Sequence, residues 1–180
     1  MGSEMCIRDS GRIRPSEEEY MGIARIKGFA DMFPPQSDNF TRMENCARDI
    51  FGRYGFVELR TPLVEFTELF QRSIGEETDV VQKEMYTFND KGGRSITLRP
   101  EGTSGAARAF LENGLCNEAL PQKVYYLDSC YRYEKPQAGR LREFHQFGVE
   151  CFGTQSPLAD AELIALASAI FDRLGVTGLR

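Results

Sequence analysis

Polar and small side chains alternate along one segment of this sequence in a way that suits a ligand pocket. Between Phe144 and Phe152, the residues Gln146, Gly148 and Glu150 recur at every second position. If the segment is a β-strand, they share one face with Phe144, because successive side chains point to opposite faces. Burying unpaired polar groups costs roughly 2–7 kcal/mol, whereas a glycine lets a ligand approach the sheet closely. We therefore predict that this face contacts a ligand.

The segment from Tyr125 to Tyr133 predicts the strand that pairs with it. By the same alternation, Asp128, Cys130 and Arg132 share one face. An arginine beside such a surface can bind an anion through two parallel hydrogen bonds. The intervening residues 134–140, EKPQAGR, are charged and turn-forming, so we expect a long hairpin loop. The basic residues around this loop suit either the phosphates of a nucleotide or those of RNA.

The single histidine of the chain, His145, falls on the opposite face of the second strand. Its neighbours on that face are Phe147, Val149 and Cys151. We therefore predict that His145 packs or hydrogen-bonds structurally and takes no part in catalysis.

Other segments must position the polar face. Residues 95–98 predict a strand that pairs with residues 85–88 through a turn at 89–93. That strand leads into a turn and a helical run, in which Thr103 or Ser104 suits the N-cap because its hydroxyl can accept a backbone N–H.

Apolar spacing predicts two further helices. One carries apolar residues at positions 40, 43, 47, 50, 51 and 54 and stops at Gly55. The strand after it should end at Thr61-Pro62, because proline cannot donate to a ladder. The other helix covers residues 158–174 and stops at Gly175.

Composition limits the classes of protein to consider. At 180 residues and 41% hydrophobic content, the chain fits one ordinary domain with a core. A net charge of −5 indicates that any contact with nucleic acid must come from a local basic patch. Five cysteines without a Cys-x-x-Cys pair favour reduced thiols in a cytosolic protein. No apolar run approaches the ~20 residues needed to span a membrane, so we expect a soluble, cytoplasmic protein without a membrane partner.

The predicted hairpin resembles motif 2 of the class II aminoacyl-tRNA synthetases. In that class, an arginine on the first strand is followed by an acidic residue, a loop, and Arg-x-Arg/Gln-Glu-Phe. The residues that match are Arg132, Glu134, Arg140, Arg142, Glu143 and Phe144. The continuation HQFGVE, residues 145–150, is most similar to the histidyl branch. Two more segments support the resemblance: RPEGTS at 99–104, and residues 54–65, which resemble the motif 1 that forms the homodimer interface of the class.

The resemblance implies a fold and a reaction. The fold is the class II catalytic domain, an α+β fold whose mostly antiparallel sheet is flanked by helices. The reaction joins L-histidine to ATP, giving histidyl-adenylate and pyrophosphate, and the histidyl group then passes to tRNA(His). Magnesium is implied by the ATP chemistry, but no residue here is assigned as its ligand.

The resemblance also implies roles for the nucleotide-facing residues. Arg132 is the candidate catalytic cation, bridging the histidine carboxylate and the α-phosphate. Glu134 would meet the adenine amino group or brace the loop, and Arg140 or Arg142 would contact the outer phosphates. Phe144 would stack on the adenine ring, a contact worth ~1–3 kcal/mol.

A second set of residues is implied to bind histidine. Glu101, Gly102 and Thr103 form the loop that receives the amino group, where a carboxylate can make a charge-assisted hydrogen bond with the ammonium. Gln146 and Glu150 would anchor the amino group or the imidazole.

The resemblance divides the chain unevenly. Residues 1–10 read as a non-native leader and residues 11–24 as an extension of undecided origin. Residues 25–180 correspond to the N-terminal portion of the catalytic core, with motifs 1 and 2. Motif 3 and the anticodon-binding domain have no counterpart, so we expect the 180-residue chain alone to bind histidine or adenylate weakly and not to aminoacylate tRNA.

Two alternatives remain open at this point. One is a synthetase-like regulatory subunit of ATP phosphoribosyltransferase, which shares the fold but tends to lose the residues of the ATP loop. The other is a different class II enzyme, threonyl-like or prolyl-like, which matches less well after Phe144.

Overall fold

The computed structural model describes residues 24–135, 137 and 139–178. The predicted leader at 1–10, and all but the last residue of the predicted extension at 11–24, lie outside these residues. In the described part of the chain, helices and strands alternate in a mixed α+β order. The helices are α1 (Gln36–Arg53), α2 (Thr67–Ile74), α3 (Thr103–Glu112) and α4 (Pro157–Leu174). The strands are β1 (Val57–Glu58), β2 (Val64–Phe66), β3 (Tyr86–Asn89), β4 (Ser95–Leu98), β5 (Gln122–Tyr131) and β6 (Glu143–Phe152).

The larger sheet has the strand order β1-β5-β6. Strands β5 and β6 form the predicted hairpin, antiparallel and in register from Gln122↔Phe152 to Tyr131↔Glu143. Strand β1 pairs parallel to β5 through Val57↔Val124. Both hairpin strands are ten residues long, so the alternation of side chains persists over the whole ladder.

Helices α1 and α4 cover one face of this sheet and form the core with it. The rings of Phe51 and Tyr125 lie 4.7 Å apart, and Leu166 and Ile170 of α4 complete the contact. His145 faces this side as predicted, with its ring 5.1 Å from that of Phe40. The polar face of the hairpin is therefore the opposite one.

Both predicted helix ends are confirmed. After α1, Gly55 has a φ of 78°, and after α4, Gly175 has a φ of 77°, which are left-handed values that favour glycine. Helix α4 begins after Ser156, whose hydroxyl accepts a hydrogen bond from the Leu158 N–H.

The smaller sheet has the order β2-β4-β3 and contains the second predicted hairpin. The hairpin is confirmed, but its pairing runs from Tyr86↔Leu98 to Asn89↔Ser95, one residue later on the first strand than predicted. The expectation for the motif 1 strand was wrong in length, because β1 ends at Glu58 and does not reach Thr61-Pro62. Beyond Leu59, which donates to the Tyr125 carbonyl, the backbone leaves the larger sheet and continues towards β2.

The described cysteines, Cys46, Cys116, Cys130 and Cys151, are free thiols. Among residues 24–178, apart from 136 and 138, no helix combines the length and the apolar character needed to cross a membrane.

Candidate functional site

The polar face of the hairpin is built from directly opposed residue pairs. Strand register sets Cys130 opposite Phe144, Asp128 opposite Gln146, Tyr126 opposite Gly148, and Val124 opposite Glu150. Opposed residues in an antiparallel ladder point to the same side of the sheet. The sequence-based assignment of faces is therefore confirmed for the residues inside both strands, whereas Arg132 lies one residue beyond the end of β5.

A cleft of about 460 Å³ opens at the loop end of this face. Its lining contains four of the residues predicted to contact the nucleotide, together with two residues of the loop between them. The lining residues are Arg132, Glu134, Gly139, Arg140, Leu141 and Phe144.

The position of Arg132 is determined by contacts on two sides. Its Nε donates a hydrogen bond of 2.9 Å to the carbonyl of Pro100. Its guanidinium carbon lies 5.1 Å from the centroid of the Phe144 ring, in a cation–π arrangement. The bond to Pro100 uses one of the five N–H donors of the guanidinium. An anion in the cleft could therefore be bound without breaking the contact that orients Arg132.

Glu134 and Arg140, which both line the cleft, form an ion pair with each other. Their closest charged atoms, Oε2 and Nη1, are 3.4 Å apart, and the Arg140 side chain is 65% exposed. Exposed pairs of this kind contribute little to stability, about 0–1 kcal/mol. Arg140 can therefore exchange this partner for a phosphate at small cost.

Arg142 lies apart from the cleft lining, although the resemblance offered it as a phosphate contact. Its guanidinium carbon is 3.8 Å from the centroid of the Tyr133 ring, and its Nη1 donates to the Lys27 carbonyl at 3.3 Å. Arg140 and Arg142 would share a face in a regular strand, but β6 begins only at Glu143.

Glu101 caps helix α3, and this corrects the predicted N-cap. The helix begins at Thr103, so neither Thr103 nor Ser104 is its cap. Instead the Glu101 carboxylate accepts the Thr103 N–H at 2.6 Å, the Ser104 N–H at 2.9 Å and the Ser104 hydroxyl. A carboxylate at this position also benefits from the positive end of the helix dipole. The helix thereby fixes the orientation of the carboxylate that was predicted to receive an ammonium group.

Tyr126 links the two ends of the predicted histidine site, although it was not among the predicted site residues. Its hydroxyl donates to Glu150 Oε1 at 3.2 Å and lies 3.3 Å from the hydroxyl oxygen of Thr103. Burial raises the pKa of Tyr126, so the phenol stays protonated and can keep donating. Strand alternation could have identified it, because Tyr126 is two residues before Asp128 on the same face.

Two glycines make room for this tyrosine. A Cβ placed on Gly102 or on Gly148 would overlap the ring of Tyr126. Gly148 therefore allows close approach, as the sequence suggested, but the group that approaches in the structure is a side chain of the same protein.

Replacing Gly148 by alanine should destabilise the chain by about 1–3 kcal/mol, the usual cost of overpacking. Urea unfolding followed by circular dichroism measures this change in the free energy of unfolding. Gly52→Ala is the matched control, because a Cβ there meets nothing within 4 Å; it should be neutral or stabilising by about 0.5–1 kcal/mol. If overlap with the Tyr126 ring is the cause, Gly148→Ala should lower the free energy of unfolding only slightly in a chain that already carries Tyr126→Ala. If the two substitutions lowered it additively, overlap with Tyr126 would not be the cause.

A buried ion pair between Arg99 and Asp128 lies on the same face and was also missed. Nη1 of Arg99 lies 2.9 Å from Oδ1 of Asp128, and the two side chains are only 12% and 8% exposed, respectively. Arg99 also donates from Nε to the Ser129 carbonyl at 2.8 Å and from Nη1 to the Thr61 carbonyl at 3.1 Å. Within the described residues, Oδ2 of Asp128 has no hydrogen-bond partner.

Burial raises the pKa of the Asp128 carboxyl above its ordinary value, and the charge of Arg99 offsets this only in part. The folded state therefore binds this proton more tightly than the unfolded chain does. The resulting stability is complete below the unfolded pKa, near ~3.9, and is lost as the pH rises through the folded pKa.

Acidification should therefore favour the unmodified chain over the Asp128→Asn variant, since asparagine does not titrate. As the pH falls from about 7 to about 4, the free energy of unfolding of the unmodified chain should rise relative to that of Asp128→Asn. Chemical unfolding of both proteins at a series of pH values measures it, and the other carboxylates cancel in the difference. A difference independent of pH would show that burial does not raise the pKa of Asp128.

Cys130 and Gln146 lie on the polar face between the cleft and Tyr126. The Cys130 thiol lies 3.3 Å from Oε1 of Gln146, as its donor. Burial raises the pKa of Cys130 to about 12, so the thiol is neutral near neutral pH. This contact orients the amide of Gln146 on the polar face.

The structure brings the predicted site residues together in two neighbouring groups. Arg132, Glu134, Arg140 and Phe144 line the cleft. Glu101, Gly102, Thr103 and Glu150 lie around Tyr126. Within residues 24–135, 137 and 139–178, no group of three or more His, Cys, Asp or Glu side chains is placed to bind a metal ion.

Comparison with known proteins identifies the family. A sequence model described as Histidyl-tRNA synthetase matches residues 28–180. The chain belongs to this family. The histidine–tRNA ligase of Nitratidesulfovibrio vulgaris strain DP4 is 57% identical over 157 residues, which cover 87% of this chain. The same match covers 38% of that relative, so the chain spans well under half the length of the curated relatives it matches.

Solved structures support the assignment to the histidyl-tRNA synthetase family. The apo histidyl-tRNA synthetase of S. aureus matches with a TM-score of 0.72 and 38% identity, over 85% of this chain and 35% of that one. A Bacillus halodurans protein described as an ATP phosphoribosyltransferase regulatory subunit/histidyl-tRNA synthetase matches with a TM-score of 0.74 and 25% identity, over 87% and 39%. The expected class II fold is thereby confirmed.

Proposed function

We propose that this chain is the part of a histidine–tRNA ligase that binds ATP and histidine and forms histidyl-adenylate. The observation that carries the proposal is the position of Arg132, in a cleft between the Pro100 carbonyl and the Phe144 ring. A cation there lies beside the hairpin face that carries the half-buried Gln146 and Glu150. The family relationship supports the same reaction.

In the proposed reaction, a carboxylate oxygen of histidine bonds to the α-phosphorus of ATP. The bond from that phosphorus to the oxygen bridging to the β-phosphate breaks, and pyrophosphate leaves with the electron pair. Two anions must approach each other, so positioning and cationic stabilisation dominate the barrier. Arg132 supplies the cation that bridges the histidine carboxylate and the α-phosphate.

The remaining cleft residues orient the nucleotide in this proposal. Phe144 stacks on adenine, Glu134 accepts from the adenine amino group, and Arg140 contacts the outer phosphates. Magnesium would arrive on the phosphates of ATP. The described side chains offer no ligand cluster for it, so we assign no step to the metal.

Histidine would bind deeper on the same face. Glu101 and Thr103, with the backbone at Gly102, receive the ammonium group, and Gln146 and Glu150 hydrogen-bond the ammonium or the imidazole. Buried polar groups reject analogues that leave them unpaired, which gives the pocket its selectivity.

Transfer to tRNA(His), dimerisation and cytoplasmic location complete the proposal. Exposed apolar side chains in and near the motif 1 region, at Val57, Leu63 and Val64, support a homodimer interface through residues 54–65. Free thiols support a reducing compartment.

A comparison of two binding affinities tests the proposed function. The purified chain is titrated with non-hydrolysable histidyl- and prolyl-adenylate analogues by calorimetry. We expect measurable binding of the histidyl analogue and much weaker binding of the prolyl analogue. Equal affinity for both would contradict histidine selectivity, and binding of neither would contradict the proposal as a whole.

The regulatory-subunit alternative is less well supported. The Bacillus halodurans protein that carries this description is 25% identical, compared with 57% for a curated ligase. The intact cleft residues Arg132, Glu134, Arg140 and Phe144 favour nucleotide binding over a regulatory role.

A further inference from the structure

Three distant segments of the chain meet at the root of the loop that borders the cleft. The Arg142 N–H donates to the Gly28 carbonyl at 2.7 Å, and the Tyr133 N–H donates to the Glu84 carbonyl at 2.6 Å. The Arg132 N–H donates to the Arg142 carbonyl at 2.9 Å and closes the root of the hairpin. Backbone hydrogen bonds therefore tie the loop to residues near positions 28 and 84.

The Arg142 side chain also links the loop to the segment near position 28. Its guanidinium stacks on Tyr133 at 3.8 Å, while Nε donates to the Glu134 carbonyl at 3.2 Å and Nη1 to the Lys27 carbonyl at 3.3 Å. Gly28 packs on its stem, where an added Cβ would lie 2.7 Å from both Cγ and Cδ of Arg142. One arginine thus contacts both sides of the loop root.

Aromatic rings surround this contact. Tyr86 lies 5.5 Å from Tyr133, centroid to centroid, and Phe29 lies 6.3 Å from Tyr86 and 6.2 Å from Tyr131. We call these four rings and Arg142 the loop-root cluster. Because Arg142 stacks on an aromatic ring and its hydrogen bonds are partly shielded from solvent, its side chain is held more firmly than that of the exposed Arg140.

We infer that Arg142 is a positioning residue that fixes the loop root, so that Glu134 and Arg140 face the cleft, and that it does not contact phosphate. Turning Arg142 into the cleft would break its stacking on Tyr133 and its bonds to Glu134 and Lys27. The segment around Lys27 and Gly28 would then be a structural part of the nucleotide site, although it is 115 residues away from Arg142 along the chain.

The nucleotide part of this inference rests on the proposed function and is tested by comparing ATP with AMP. AMP lacks the outer phosphates, so a residue that binds them affects ATP alone. We expect Arg142→Gln to weaken AMP binding about tenfold, or ~1.4 kcal/mol, through the displaced Glu134, and to weaken ATP binding by at least as much, whereas Arg140→Gln should weaken ATP binding alone. Equilibrium dialysis gives the four dissociation constants. A loss in Arg142→Gln confined to ATP would overturn the inference.

A second measurement needs no nucleotide. Gly28→Ala should displace the Arg142 stem and speed hydrogen exchange at the amides of Tyr133 and Arg142, observed by NMR. Gly93→Ala is the matched control, because Gly93 has a similar positive φ of 79° but an added Cβ there meets nothing within 4 Å. Unchanged exchange in Gly28→Ala would overturn the inference. If the unmodified chain bound neither ATP nor AMP, the proposed function would fail, while this exchange measurement would still decide the role of Arg142.

Discussion

Replacing Arg132 by glutamine is expected to weaken binding of a histidyl-adenylate analogue by roughly 30-fold to a few thousand-fold. Losing one partner of a desolvated, hydrogen-bonded charge pair costs about 2–5 kcal/mol, and each 1.4 kcal/mol is about tenfold in affinity. Arg132 is pre-oriented by the Pro100 carbonyl and by Phe144, so little of its binding energy is spent on ordering the side chain. Calorimetric titration of the variant and the unmodified chain measures the loss.

Two further variants make this result specific. Arg132→Lys keeps the charge but lacks the planar fork, so we expect an intermediate loss. Arg53→Gln is the control, because Arg53 is an exposed arginine of α1 paired with Asp49. It should bind the analogue as the unmodified chain does. If Arg132→Gln and Arg53→Gln bound the analogue with equal affinity, Arg132 would not be a contact residue of the site.

The second large effect is expected on stability, at the buried pair of Arg99 and Asp128. Arg99→Met should lower the free energy of unfolding by about 3–5 kcal/mol, because it leaves the Asp128 carboxylate buried without its partner. The Ser129 and Thr61 carbonyls lose a donor in the same variant. Urea unfolding measures the change, and Arg173→Met, at an exposed pair with Asp49, should change stability by no more than about 0.5–1 kcal/mol.

A double variant separates loss of charge balance from loss of packing. Arg99→Met with Asp128→Leu removes both charges, so it should be more stable than Arg99→Met alone. A double variant as unstable as the single one would indicate that the contacts of Arg99 with the backbone carbonyls, and not its charge, support this region.

The polar face was predictable because its spacing leaves little freedom. In a strand the alternation of faces has a period of two residues, so Gln146, Gly148 and Glu150 had to lie together once the strand was assigned. The same rule assigned Asp128, Cys130 and Arg132 to the facing strand. Helix ends at Gly55 and Gly175 were predictable for an equally local reason, since both need a positive φ.

The cap of α3 was mispredicted because two local solutions compete in one turn. Thr103 and Ser104 carry suitable hydroxyls, but the carboxylate of Glu101 has two oxygens and satisfies both of their backbone N–H groups. The preference for hydroxyl side chains at helix N-termini does not show which side chain will accept hydrogen bonds from the first backbone N–H groups.

The partners of Arg99 and Arg142 could not be found from sequence spacing. Arg99 contacts Asp128 and the Thr61 carbonyl, and Arg142 contacts Lys27, across separations of 29, 38 and 115 residues. Such contacts depend on how segments from different elements pack together. Strand phase could show that Asp128 lies on the polar face, but it could not show which cation pairs with it.

The unbroken register of the β5–β6 ladder has a consequence for how relatives of this chain can differ in length. One residue added near the start of β6 would send every following side chain to the other face, placing His145 and Val149 where Gln146 and Glu150 lie, and one added in β5 would do the same to the residues of that strand. Residues added between Glu134 and Arg140 would leave the opposed pairs from Tyr131↔Glu143 inward unchanged. Insertions and deletions should therefore be tolerated in the loop and excluded from the two strands that it connects.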